Sequence, residues 1–348
     1  MRPWQKTITG HWFPYRNNAK TNRIGTHMKR GYKKKLFAGL IVIFSVIVIW
    51  TWHFHGKMNG KNLISQSNET MAADQKLRAT KLLGRIVFQS NRDGNEDIYV
   101  MNTDGGGQEK LTDNNAFDGY PVWSPDGRKI CFESNRDGIF QIFIMDHDGK
   151  NQIKVTDGRF DNRYPAWSPD GKMIAYQSKR KKGLQVYVID LEKKKETMVT
   201  DAWYRSGLPN WSPDGKKIAF TANKLLGWGV YVMNRDGSDI RALSTKGGSC
   251  RPNWSPDGRK IAYVSQEADK KGDIWVMNQD GSEKRRLTTD SENYDYYPSW
   301  SPDGKWIVYA NTSHKQKGNW EIRIINVKSG DSIKITNSSA QEKFPGWH

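Results

Sequence analysis

The chain has 348 residues with 55 Lys/Arg and 37 Asp/Glu, a formal net charge of +18. The excess is uneven: residues 1–83 hold 15 basic and 2 acidic side chains, which leaves 40 against 35 on residues 84–348. So balanced a surface on the larger part argues against a phosphate-binding groove, and no nucleic-acid partner is expected; two cysteines, Cys131 and Cys250, make no disulfide framework.

Residues 1–35 carry ten Lys/Arg and no acid, with scattered aromatics and no apolar period. They read as a basic cytoplasmic tail. Residues 36–52 (LFAGLIVIFSVIVIWTW) contain no charge. As a helix they would span about 26 Å, close to the ~30 Å apolar core of a bilayer. The bulky run from Trp50 to Phe54 suits an interfacial belt rather than a signal-peptidase site. Residues 36–54 are therefore expected to be an uncleaved, single-pass signal anchor in the cytoplasmic (inner) membrane. Its basic side stays in the cytoplasm, and everything after it lies in a periplasm or outside the cell. Residues 55–83 are polar and read as a linker.

From residue 84 onward the sequence repeats. Trp-Ser-Pro-Asp-Gly begins at Trp123, Trp167, Trp211, Trp254 and Trp300, at spacings of 44, 44, 43 and 46 residues, in the range of propeller blades. Each unit holds four short strand patterns separated by turn signals. Pro at the second turn position presets φ, and Gly takes the conformation a Cβ would forbid. Asp104-Gly105, Asp148-Gly149, Asp236-Gly237 and Asp280-Gly281 mark the hairpins between third and fourth strands. The recurring tryptophan is the residue best suited to fill the wedge between neighbouring blades.

The first unit lacks a tryptophan strand, and the chain ends on Phe344-Pro345-Gly346-Trp347-His348, a first strand with nothing after it. Pairing the two halves completes a sixth blade and removes the open sheet edges. The expected fold for residues 84–348 is thus an all-β, six-bladed propeller of four-stranded antiparallel blades, monomeric and closed by the C-terminal strand.

At Pro-x-Trp-Ser-Pro-Asp-Gly, Lys217-Ile218-Ala219-Phe220 and Ile274-Trp275-Val276-Met277-Asn278, the chain resembles the TolB-type propeller repeats. The resemblance covers residues 84–348. It implies a cell-envelope propeller whose channel mouth binds a protein partner. Similar repeats stand beside the hydrolase domain of dipeptidyl-peptidase-like enzymes and in some polysaccharide lyases, so fold alone does not settle activity. Residues 53–83 are too short for the α/β domain that precedes the propeller in TolB, and the anchor is expected in its place.

No Gly-x-Ser-x-Gly elbow occurs, and the propeller's histidines, His147, His314 and His348, fall on different units. No catalytic residue, metal or cofactor is expected. The longer, more variable connections, from second to third and from fourth to first strands, share one face, where binding is expected. The candidate residues there are Phe117, Tyr120, Arg159, Phe160, Arg163, Tyr164, Trp203, Tyr204, Arg205, Arg251, Tyr294, Tyr296, Tyr297 and Phe344. Tyr, Trp and Arg are the types enriched at interface hot spots. The competing reading is that individual members plug the channel or pack beneath loops. A protein- or peptide-binding scaffold is the favoured function. The alternatives are a carbohydrate-active or peptide-hydrolysing enzyme at the same mouth, and a structural spacer in an envelope assembly.

Overall fold

The computed structural model describes residues 82–200, 205–224, 227–315 and 318–348. The expected tail, the anchor at 36–54 and all but the last two residues of the linker lie outside the described residues. Those described fold into six four-stranded antiparallel sheets. The second blade shows the plan: Asp118–Trp123 innermost, then Lys129–Ser134, Gln141–Asp146 and Ile153–Lys154.

Each Trp-Ser-Pro-Asp-Gly copy is the turn out of an innermost strand. In the second blade Ser124 Oγ donates to Asp126 Oδ1 (2.6 Å) and accepts from the Lys129 N–H (2.9 Å), while Gly127 sits at φ 67°. The other four copies place their glycines at φ 68–70°. The tryptophans are at most 9 % exposed. Trp123 packs with Val87, Ile98 and Val100 of the blade before it, and Trp167 with Cys131, Ile142 and Ile144. They fill the wedges as the repeat requires.

The fourth strands are short, as in Glu109–Lys110 and Ile153–Lys154. Just past the first of these, Thr112 Oγ1 accepts the Ile98 N–H (3.0 Å); Thr156, Thr200, Thr288 and Thr336 do the same for Ile142, Val186, Ile274 and Ile322. A hydroxyl replaces the next ladder bond, and a short outer edge offers little for another chain to pair with. The hairpin before the fourth strand has Gly at positive φ in five blades; the third blade, which lacks that glycine, uses Lys194 at φ 52°.

The C-terminal strand Glu342–Trp347 pairs with Arg85–Ser90, so the first blade is built from both ends of the described chain. Arg85 and His348 exchange backbone hydrogen bonds of 2.7 and 3.0 Å. Gly84, at φ 103°, passes so close that a Cβ would stand 2.1 Å from the His348 carbonyl oxygen.

Candidate binding site at the channel mouth

Every innermost strand carries the same irregularity. In the second blade Gly119 pairs with Glu133 and Val122 with Cys131, so Tyr120 and Pro121 together oppose Phe132 alone. Equivalent bulges interrupt the other five innermost strands. Proline brings no N–H to a ladder and is tolerated at such a bulge. The residue before it takes a left-handed conformation in all six blades: Tyr120 (φ 50°), Tyr164 (57°), Leu208 (53°), Arg251 (57°), Tyr297 (63°) and Phe344 (53°). For a residue with a Cβ this costs roughly 1–2 kcal/mol each.

The strain is held from the neighbouring blade. The Tyr120 N–H donates to Gln89 Oε1 (3.3 Å), the Tyr164 N–H to Glu133 Oε2 (2.9 Å) and the Arg251 N–H to Thr221 Oγ1 (2.9 Å). All three acceptors occupy one position of the second strand. At that position the fifth and sixth blades have Val264 and Ala310, which have no side-chain acceptor to offer.

The six pre-proline residues, their prolines and the residues after them line one cavity of about 140 Å³ on the propeller axis. The rings touch in sequence around it. Tyr164 meets Tyr120 edge-on at 4.4 Å between centroids, Tyr120 meets Phe344 at 3.6 Å, and Phe344 meets Tyr297 at 4.0 Å. The Arg251 guanidinium lies 4.3 Å over the Tyr297 ring. Leu208 completes the ring between Tyr164 and Arg251. Burial pushes the Tyr120 phenol well above 10, so it stays neutral at ordinary pH.

The loop face above is stitched blade to blade. Asn95 Nδ2 donates to the Asn114 and Ala116 carbonyls, and the Asp118 N–H to the Glu96 carbonyl (2.9 Å), so the two longer sets of connections do share one face.

Five of the sequence candidates, Tyr120, Tyr164, Arg251, Tyr297 and Phe344, come together in the cavity. The other described candidates are not part of its lining. Arg163 donates through Nε (3.0 Å) and Nη2 (2.5 Å) to Oε1 of the fully buried Glu133, and its guanidinium stacks 3.9 Å over Phe140, which Phe117 meets edge-on. Burial holds the Glu133 carboxyl above the ordinary glutamate value, against the pull of Arg163. Arg159 pairs with Asp157, Phe160 lies under Arg180, and Arg205 is exposed. Tyr294 faces Lys271; Tyr296 is buried against Trp320, with its hydroxyl accepting from Gln266 and Lys315. Trp203 and Tyr204 lie outside the described residues. Leu208 was not among the candidates, although the x-Pro before each tryptophan marks its position.

A family model described as the TolB beta propeller domain matches residues 83–156 and 140–348. The chain belongs to the TolB β-propeller family. The Tol-Pal system protein TolB of Geobacter sulfurreducens is 40% identical over 47 residues, a stretch that is 14% of this chain and only 11% of that protein. Among solved structures, TolB from Acinetobacter baumannii superposes with a TM-score of 0.67 at 22% identity, over 76% of this chain and 66% of that one. A putative TolB from Agrobacterium tumefaciens does so at 0.62 and 21%, over 76% and 99%. At such identities these two structures are alike in fold. Among the described residues, no group of three or more His, Cys, Asp and Glu is placed to hold a metal ion.

Proposed function

We propose that this chain is a membrane-anchored, extracytoplasmic propeller of the cell envelope, and that it binds a protein or peptide at its channel mouth. In this reading residues 36–54 are the anchor, residues 1–35 stay in the cytoplasm and the propeller faces the periplasm or the cell exterior. The observation that carries the binding reading is the ring of six left-handed pre-proline residues. Strained backbone held in place by its surroundings clusters at sites of function. Here the strain is repeated six times at one level, while Pro and Trp are constant and the side chain before the proline changes from Tyr to Leu, Arg and Phe. Rigid aromatics beside an arginine are the usual anchors of a protein interface.

The test is a photo-crosslinking residue at position 208 of the full-length chain in native membranes, with adducts identified by mass spectrometry. A defined protein adduct is expected, and it should disappear when Tyr120→Ala and Tyr297→Ala are combined. An adduct pattern indifferent to that pair would refute the channel as the site.

A further inference from the structure

Of the eight half-buried arginines among the described residues, seven pair with a carboxylate, as Arg92 does with Glu342, Arg136 with Asp118 and Arg163 with Glu133. Arg251 is the exception. It lies among Tyr297, Tyr120, Cys250 and Tyr164, and no carboxylate of the described residues forms an ion pair with it. Its guanidinium carbon lies 4.3 Å over the centre of the Tyr297 ring. A guanidinium carries five N–H donors in its plane. No side-chain hydrogen bond of Arg251 to another described residue uses them. Meanwhile the Arg251 backbone is pinned by Thr221 and locked before Pro252, so the cation is held on the channel wall. Leaving a half-buried charge without a counter-ion is costly, and a ligand that supplies one recovers that cost.

We propose that the channel mouth is a carboxylate receptor, in which Arg251 takes the side-chain carboxylate of an Asp or Glu presented by the bound polypeptide and the aromatic arc packs around it. This rests on the binding reading above and names the chemistry that its occupant must carry. The cavity, at about 140 Å³, is near the ~150 Å³ that holds a benzene-sized group. That is room for the end of one side chain; a chain terminus would bring its backbone and last side chain with it. Planar in-plane donors match a carboxylate bidentately.

The experiment measures binding of three blocked peptides to the full-length chain in detergent by calorimetry: acetyl-Tyr-Glu-Gly-amide, acetyl-Tyr-Gln-Gly-amide and acetyl-Tyr-Gln-Gly with a free C-terminus. The Glu peptide is expected to bind about tenfold more tightly than the Gln peptide, the scale of one charged hydrogen-bonding pair. Arg251→Gln should abolish that preference. Arg251→Lys, which keeps the charge without the planar fork, should retain part of it. Equal binding of the Glu and Gln peptides, or a preference that survives Arg251→Gln, would overturn the assignment. Tightest binding by the free C-terminus would overturn the choice of a side-chain carboxylate. If both amidated peptides bind alike and Tyr297→Ala removes them, the binding reading stands and this proposal falls; if none of the three binds, both fall.

Discussion

Glu133 offers a test of how the channel ring is held. It is fully buried, and it satisfies two groups of the next blade at once: the Arg163 guanidinium through Oε1 and the Tyr164 N–H through Oε2. Glu133→Ala leaves the guanidinium without a counter-ion beside Phe140 and orphans the amide of a left-handed residue. Breaking a buried pair from one side costs about 3–5 kcal/mol. At about 2 °C per kcal/mol for a domain of this size, the unfolding midpoint should fall by roughly 6–10 °C. Glu133→Gln keeps the length and the acceptor and loses only the charge. Gln89 already occupies the same position in the first blade and accepts the Tyr120 N–H, so an amide fits there. The Gln variant should lose about 1–2 kcal/mol, or roughly 2–4 °C. The assay is thermal unfolding of the full-length chain in detergent, followed by near-ultraviolet circular dichroism. If Gln is as damaging as Ala, or if Ala shifts the midpoint by less than about 2 °C, the cross-blade support of the ring is wrong.

Two further perturbations probe the scaffold. Asp295 is buried with Asn311 Nδ2 at 2.6 Å, and burial raises its carboxyl from 3.8 to about 6. A raised acid favours the folded state fully below 3.8, and the advantage is lost as pH rises towards 6; a rise from 3.8 to about 6 is worth about 3 kcal/mol. Asp295→Asn should therefore gain stability on wild type between pH 4 and 6.5 in paired unfolding curves, and a constant difference across that window would refute the shift. Deleting residues 342–348 removes the strand that pairs with Arg85–Ser90 and strips the counter-ion from Arg92. The truncated chain should lose its cooperative transition and aggregate through the exposed edge; a sharp transition in a monomeric truncated chain would show that closure is dispensable.

Much of this fold was legible because its signals are local. The missing first strand before Arg85 and the spare one at Phe344 to Trp347 fix the blade number, and the structure pairs them. The serine, proline, aspartate and glycine of each turn act within five residues of one another. What could not be read was contact across blades. Glu133 looks like an ordinary strand residue until Arg163 and Tyr164, about thirty positions later, are seen to rest on it. Leu208 carries no such signal because an aliphatic side chain advertises no chemistry, though its place before Pro209 is equivalent to that of Tyr164 before Pro165. Tyr296 and Tyr297 are neighbours with opposite fates: the first packs under the loops against Trp320, and the bulge turns the second into the channel.

That alternation explains how one repeat can be both rigid and adaptable. A regular strand would send successive side chains to opposite faces of the blade, and none would be aimed along the propeller axis. The bulge adds one residue, and the left-handed turn before proline re-aims it. At Tyr120, Tyr164 and Arg251 a side chain of the preceding blade holds the bulge N–H, so the re-aimed side chain is not needed to hold its own backbone. Its identity is then free of the backbone's demands. Tryptophan and proline cannot vary in that way, since one fills the wedge and the other ends the ladder. Of the six positions that the bulges re-aim into the channel, Arg251 alone carries a charge.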